Sequence, residues 1–576
     1  MEIKNILSGT SFYAHKTLGA HLENNGVRFG VFAPEALNVT LIGEFSDWTE
    51  VPMSRDENGL WNCFVDNAVI GQMYKFKISE KSGAVRDRID PFAFFSERRP
   101  GNASVIYDIS KFSWNDSEWL RKREKNFNSP LNIYEVHLGS WQKSEDGEFL
   151  PYEKLAERLI PYVKSIGATH IELMPFTEHP LDASWGYQTT GYFSATSRFG
   201  EPCGLMKLID ECHKENIGVI MDFVPLHFAS DNFALYEYDG GHIFESEDEQ
   251  QRYSRWGTIL FDFTKPFVMS FLHSALIFWI ENYHIDGIRF DAVSDMLYHH
   301  GSGDEGLNEA GIWFMKTANY FIDKHYKGVM LIAEDSSIFT KVTAPVEYGG
   351  IGFDYKWDLG WMNNTLYYMS LPFDKRERKS DCIRHSMDYF YNEEYILPLS
   401  HDEVSHGKKS LMQKMFGDFE QRYLQLKLLL LYTFTHPGKK LLFMGTEIPT
   451  ENEWNEDKQL EWNTYRTEEM TAFIKELVML YSSCRPLFEN DFDSRYFVWR
   501  EVSDEDCFFM FERSSKDGEK VTVALNFSDE KISRKIMKTE GEIIFSSGSA
   551  DITATKNTKT LKLGALSGVI IGKKSQ

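Results

Sequence analysis

The sequence predicts an α/β chain: a (β/α)8 TIM barrel flanked by an N-terminal β-sandwich and a C-terminal all-β domain. Three observations lead there. Short apolar runs alternate with helical patterns through the middle of the chain, whereas both ends carry strand patterning. Eight of the middle runs read as strands. Acidic residues stand at or just beyond the ends of several of them. Alternating strand and helix patterns are what a parallel sheet with helical crossovers requires.

Taken in order, residues 1–124 read as all-β, with VRFGVFA, NVTLIGEF, LWNCFV and MYKFKIS separated by turn-rich segments. Residues 125–485 hold the eight candidates: Ile133–Leu138, His170–Met174, Gly218–Phe223, Gly287–Phe290, Met330–Ala333, Gly352–Tyr355, Leu397–Ser400 and Lys440–Met444. Thr264 is placed to cap a helix with Pro266 in its first turn, where a missing N–H does no harm. Val268, Phe271, Leu272, Ala275 and Phe278 then recur at helical spacing. Eight strands in this region fit a barrel with long loops. A doubly wound open sheet satisfies the same pattern. Residues 486–576 return to strands, as in YFVWRE, CFFMFER and VTVALNF.

At 576 residues the chain exceeds one hydrophobic core. Hydrophobic residues at 42% and charged residues at 26% are ordinary for a globular protein. The formal net charge of −24 repels phosphate backbones, so no nucleic-acid partner is expected, and a neutral substrate is allowed. No apolar run reaches the roughly 18 residues of a membrane span. The opening MEIKNILSGTSFYAHK lacks the pattern of a leader peptide. Cys63, Cys203, Cys212, Cys382, Cys484 and Cys507 are scattered, with no CxxC pair and no zinc spacing. They read as reduced thiols of a cytoplasmic protein. Nothing in the pattern bears on oligomeric state.

The chemistry lies at the strand ends. Asp291 follows GIRF, Glu334 follows LIA, Asp402 follows LPLSH, and Asp222 ends VIMDF. One acid after a strand is usually a helix cap. Four of them, with His227, Arg289 and His401 nearby, would converge on one face of a parallel barrel, the face where active sites form. Paired carboxylates suit glycosidic chemistry, one attacking the anomeric carbon and one protonating the leaving oxygen. Arg289 and Asp291 are two apart on a strand and so share a face. A cation there would keep Asp291 ionised, and burial or nearby negative charge would raise the pKa of Glu334.

DFVPLH (222–227), GIRFDAV (287–293), AEDSS (333–337) and LSHDEV (399–404) resemble the four signature regions of the α-amylase superfamily, glycoside hydrolase family 13. Within it the chain is similar to the glycogen branching enzymes, through YEVHLGSW (134–141), IELMPFTEHPLDASWGYQTTGYF (171–193), WGTILFDF (256–263), GFDYKWDLGWMNNTL (352–366), LSHDEVSHGKKSL (399–411) and HPGKKLLFMG (436–445). The resemblance implies Asp291 as nucleophile, Glu334 as acid/base and Asp402 as the acid that orients sugar hydroxyls and stabilises the transition state. Tyr187 would be the aromatic platform beneath the reacting sugar. Asp222, His227, Arg289 and His401 would form the sugar-binding and carboxylate-orienting shell.

GEFSDW (43–48), LWNCFV and GQMYKFKIS resemble the glycogen-binding module of branching enzymes, with Trp48 and Trp61 placed either to stack on glucose or to pack the sandwich. Three departures stand out. Leu226 replaces a calcium-ligating asparagine, so no metal and no cofactor are expected. The segment after Asp291 is short, and TEIPTENEWN replaces the usual loop near the last strand. His299 and His300 lie in the second of these regions and read as a solvated loop.

The implied activity is transfer of an α-1,4-glucan segment to a 6-hydroxyl, giving α-1,6 branches on amylose or glycogen. Two alternatives stay open: an α-glucan hydrolase of the amylase or trehalose-releasing type on the same barrel, and a glycogen-binding protein that has lost catalysis.

Overall fold

The computed structural model of the protein describes residues 2–536, 541–554 and 559–573. Eight parallel strands close into a barrel: β1 Asn132–Val136, β2 His170–Leu173, β3 Gly218–Phe223, β4 Gly287–Phe290, β5 Met330–Ala333, β6 Tyr355–Trp357, β7 Tyr395–Leu399 and β8 Lys439–Phe443. β8 pairs back onto β1, which removes the open sheet from consideration. Every residue of all eight strands is buried, because one face meets the surrounding helices and the other fills the barrel.

Three boundaries differ from expectation. β1 ends at Val136, since Leu138–Trp141 coil into a helical turn. β6 lies at Tyr355–Trp357 rather than Gly352–Tyr355, because Gly352 sits at φ +90 and its left-handed backbone cannot enter the ladder. β7 begins earlier, at Tyr395. The helix Pro266–Tyr283 forms as predicted, but Thr264 does not cap it. Its amide and hydroxyl both donate to Asp262 Oδ1, so Lys265 occupies the cap position.

The N-terminal segment is not all-β. Glu2–Leu7 is a short helix whose Ile6 is buried, and it packs on the helix Pro266–Tyr283, where Ser11 N and Ala14 N also bond Ser270 and Ser274. That cover explains why the Pro266–Tyr283 helix is apolar almost all round. Behind it, a sheet of Gly19–Glu23, Gly26–Phe32, Leu60–Asp66 and Ser54–Arg55 lies against one containing Asn38–Gly43 and Met73–Ser79. Phe29 of the first meets Tyr74 of the second at 4.9 Å between rings. At the other end, strands from Phe497 onward form a five-stranded and a three-stranded sheet around Phe508, Leu561, Val569 and Ile571.

At the N-terminal ends of β3 and β4, His213 lies between Asp116 Oδ2 and Asp286 Oδ2, each at 2.8 Å. Asp286 also accepts Val219 N, so the clamp ties residues 116–123 to the barrel. No helix among the described residues is long and apolar enough to cross a membrane. All six cysteines are unpaired.

Candidate active site

The C-terminal ends of β3, β4, β5 and β7 carry Asp222, Asp291, Glu334 and Asp402 to one face. Arg289, buried inside the barrel, gathers three of these acids. Its Nη1 donates to Asp291 Oδ1 at 2.8 Å and to Asp222 Oδ1 at 2.7 Å, and its Nη2 lies 3.8 Å from Glu334 Oε2. Asp222 and Arg289 are register partners on adjacent strands, which fixes the first contact. The guanidinium is backed by the Trp357 ring of β6 at 4.5 Å.

The Tyr187 hydroxyl donates to Asp222 Oδ2 at 2.6 Å and stands 3.2 Å from His401 Nε2. Glu334 Oε2 accepts the Ala292 amide at 2.7 Å. Ala292 adopts φ +53, an uncommon conformation for a side-chain-bearing residue, and it turns that N–H toward the acid. His401 donates its amide and its Nδ1 to the two oxygens of Glu135 on β1, and its Nε2 is 3.7 Å from Asp402 Oδ1. His227 is buried with Nδ1 unpartnered among the described residues.

Burial raises the Asp291 carboxyl to about 6, against the pull of Arg289. The cation therefore opposes the shift without cancelling it, so desolvation weighs more here than the expected stabilising partner. Burial raises Glu334 further, to about 7, with Asp291 and Asp402 adding to the effect and Arg289 opposing it. Burial would lower His401, but the Glu135 carboxylate outweighs it and lifts the imidazole to about 9. Burial would raise Asp402, yet the neighbouring His401 cation, with Arg289, brings it below its usual value. Burial alone drops His227 to about 4 and leaves it neutral. The arrangement can thus hold one carboxylate ionised beside a carboxyl that is protonated near neutrality, which is the division of labour a retaining glycosidic reaction needs.

Sequence reasoning had not singled out Glu135, which orients His401, or Glu172, a fully buried acid facing it in register across β1 and β2. Their signal was an acid at an inward position of an otherwise apolar strand. Leu226 is buried in the core, and among the described residues no group of three His, Cys, Asp or Glu side chains is arranged to hold a metal. His299 and His300 lie in an exposed turn.

The chain is similar to known proteins. Residues 17–93 match the carbohydrate-binding module 48 (isoamylase N-terminal domain) family, and residues 152–259 match the α-amylase catalytic domain family. The chain is 41% identical to the 1,4-alpha-glucan branching enzyme GlgB of Bacillus caldolyticus, over all of this chain and 89% of that one. It is 43% identical to the GlgB enzymes of Geobacillus stearothermophilus and Bacillus subtilis, over 92% and 90% of this chain and 85% of each relative. The chain belongs to the 1,4-α-glucan branching enzyme family.

Within that family the α-amylase match spans Tyr187, Asp222 and His227 and stops before Asp291. The barrel itself carries the likeness onward in three dimensions. A pullulanase from Anoxybacillus superposes with a TM-score of 0.76 at 19% identity, covering 96% of this chain and 87% of that one. A putative alpha amylase from Salmonella typhimurium gives 0.73 at 17%, covering 97% and 100%. At such identities the likeness is one of fold. In the module, Trp61 is buried and donates to Ala33 O, so it packs, whereas Trp48 is 42% exposed.

Proposed function

We propose that the chain is a 1,4-α-glucan branching enzyme in which Asp291 is the nucleophile and Glu334 the acid/base. The observation that carries this reading is end-to-end relatedness to branching enzymes in a chain whose Arg289 brings Asp291 and Glu334 onto one guanidinium. In the first step Asp291 attacks the anomeric carbon of an α-1,4-linked segment, and Glu334 gives its proton to the departing 4-oxygen. In the second, the ionised Glu334 takes the proton of an acceptor 6-hydroxyl, whose oxygen displaces Asp291 and forms the α-1,6 bond.

Asp402 orients sugar hydroxyls and stabilises developing positive charge, with Tyr187, Asp222, His227, Arg289 and His401 shaping the sugar site. Water competes at the second step. A well-placed acceptor wins because oriented groups reach effective molarities of roughly 10⁵–10⁸ M. The partner is therefore an α-glucan, handled by a barrel over residues 125–485 with a module at 1–124 and a sandwich at 486–576. The unpaired thiols support a reducing, cytoplasmic setting.

The test is incubation with amylose, counting α-1,6 linkages by proton NMR and new reducing ends on the same sample. Branch points in clear excess are expected. Reducing ends without branches would make the protein a hydrolase.

A further inference from the structure

The turn at residues 254–258 is unusually well tied for an exposed tip. Ser254 N donates to Thr258 O at 2.9 Å, and the Ser254 hydroxyl accepts Trp256 N at 3.2 Å and Thr258 N at 3.1 Å. Gly257 supplies the left-handed corner at φ +79. The tip is closed by the Tyr253–Ile259 bridge and leads into Ile259–Leu260, which pairs with His227–Phe228 four residues beyond β3, at the mouth of the barrel.

On this tip Trp256 is 49% exposed, yet its ring is held in place. Its centre is 5.4 Å from the His227 ring, and the Arg255 guanidinium lies over it at 4.4 Å. Arg255 in turn pairs with the buried Asp295 at 3.0 Å. Asp295 sits in the helix Val293–Leu297, immediately after Asp291.

That anchor fixes which side of the site the indole serves. Residues 292–295 and 334–336 form one wall: Ala292 N holds the Glu334 carboxyl, the Ser294 hydroxyl donates to Asp335 at 2.8 Å, and Ser336 N donates to Ser294 at 2.9 Å. Glu334 is the group that meets first the leaving oxygen and then the acceptor hydroxyl. Tyr187 and Asp222 instead meet Arg289 at Nη1, with His401 beside Tyr187, whereas Glu334 faces Nη2. A flat, rigid aromatic offers the C–H face of a glucose ring a large apolar contact at little entropic cost.

We propose that Trp256 is the platform on which the acceptor glucan stacks, with Arg255 and Asp295 as the residues that position it. This rests on the branching reading of the site. While the segment is bound to Asp291 as a glycosyl ester, the platform holds the acceptor so that its 6-oxygen reaches the anomeric carbon. The C1–O6 bond forms, the ester bond to Asp291 breaks, and the hydroxyl proton passes to Glu334. Trp256 therefore affects who receives the segment more than whether Asp291 is glycosylated.

The experiment uses isotope-labelled α-maltoheptaosyl fluoride as donor and short-chain amylose as acceptor, with wild type, Trp256→Ala, Trp256→Phe and Arg255→Ala. Fluoride leaves without a glucan on the acceptor side, so its release in the absence of amylose reports formation and hydrolysis of the glycosyl ester alone. For Trp256→Ala that rate should stay within about twofold of wild type. The amylose concentration giving half-maximal transfer of label into α-1,6 linkages should rise about tenfold, equivalent to about 1.4 kcal/mol. Trp256→Phe should recover most of the loss, and Arg255→Ala should fall between. An unchanged half-saturation, or fluoride release that drops in the same proportion as transfer, would overturn the platform. If wild type releases fluoride yet places no label in α-1,6 linkage, the branching reading itself fails, and the acceptor role of Trp256 fails with it.

Discussion

The carboxyls of Asp291 and Glu334 share one guanidinium yet titrate apart, about 6 against about 7: burial raises both, but the aspartate starts from the lower ordinary value and alone of the two accepts a hydrogen bond from Arg289. The proposed mechanism starts from an ionised Asp291 and a protonated Glu334. Activity should therefore fall as pH drops through about 6 and again as it rises through about 7. A plot of kcat/KM against pH should be a narrow bell, its two apparent values belonging to the coupled pair. A broad plateau from 5 to 9 would contradict this. Asp291→Asn should remove the nucleophile and lower turnover by several orders of magnitude with the melting point retained. Glu334→Gln should cost the roughly 10²–10⁴-fold of a lost general acid/base. Near-wild-type turnover by either purified variant would remove the assignment. At this scale the sequence was readable where the strand period did the work: Arg289 and Asp291, two apart, do meet. It could not weigh desolvation against the cation, which depends on how deeply the rest of the chain buries both. Nor could it show Glu135 holding His401, since the two are 266 residues apart and an acid in an apolar strand looks the same whatever it binds.

Strands β2 to β5 were legible to within a residue because each is a short apolar run bounded by polar segments. β6 was not, because tertiary pairing selected Tyr355–Trp357 where the apolar run suggested an earlier start. The clamp around His213 was also invisible in sequence, its partners lying 97 and 73 residues away. Burial opposes its protonation, but Asp286 and Asp116 outweigh it and raise the imidazole to about 9. Burial would raise Asp286, and the His213 cation instead brings it to about 2. A raised histidine stabilises most below its unfolded value near 6.5 and loses that contribution as pH rises through 9. A depressed aspartate contributes above about 3.8 and loses this as pH falls toward 2. His213→Ala should thus destabilise at pH 6 by less than the roughly 3–5 kcal/mol of a fully stranded buried charge, since Asp116 keeps His284 and Asp286 keeps Arg123 and the Trp119 indole. In urea unfolding, the gap to wild type should shrink as pH passes 9, and a gap independent of pH would refute the charged clamp. The long segment after β3 depends on similar internal ties. Tyr192 bonds Val224 O and His227 O, and Phe261 N bonds Leu226 O, with Leu226 itself packed in the core. Protein groups thus organise the segment around Leu226. Branching activity and melting temperature should survive EDTA, and a loss restored by calcium would reveal a calcium site.

Across the whole molecule, the sequence conveyed a strand-rich start and end around an alternating middle. Barrel closure was beyond it, because the pairing of β1 with β8 is a contact between positions over 300 residues apart. The same limit left Trp48 and Trp61 indistinguishable, two tryptophans in one module with equal claims to stacking or packing. Burial separates them. Trp61 is enclosed, with its indole N–H bonded to Ala33 O. Trp48 stands on a turn in which Asp47 and Trp48 both adopt positive φ, +49 and +59, closed by Trp48 N to Gly43 O at 2.9 Å. Such a backbone is costly for a bulky side chain, on the order of 1–3 kcal/mol, and strain of this kind concentrates at binding positions. The tip therefore presents an indole where folding alone would favour glycine or asparagine. The expectation for a polymer far larger than the catalytic cleft is that, with one chain held on this indole while another part of the polymer enters the barrel, the local concentration of substrate would rise. The prediction is that Trp48→Ala lowers affinity for glycogen about tenfold in a co-sedimentation assay, about 1.4 kcal/mol. Trp61→Ala should instead lower the melting temperature, because removal of a buried tryptophan costs about 3–5 kcal/mol of stability. Because the ligand is neutral, the Trp48 effect should be the same at low and high salt. Equal glycogen binding by Trp48→Ala and wild type would assign the exposed indole no part in holding the polymer.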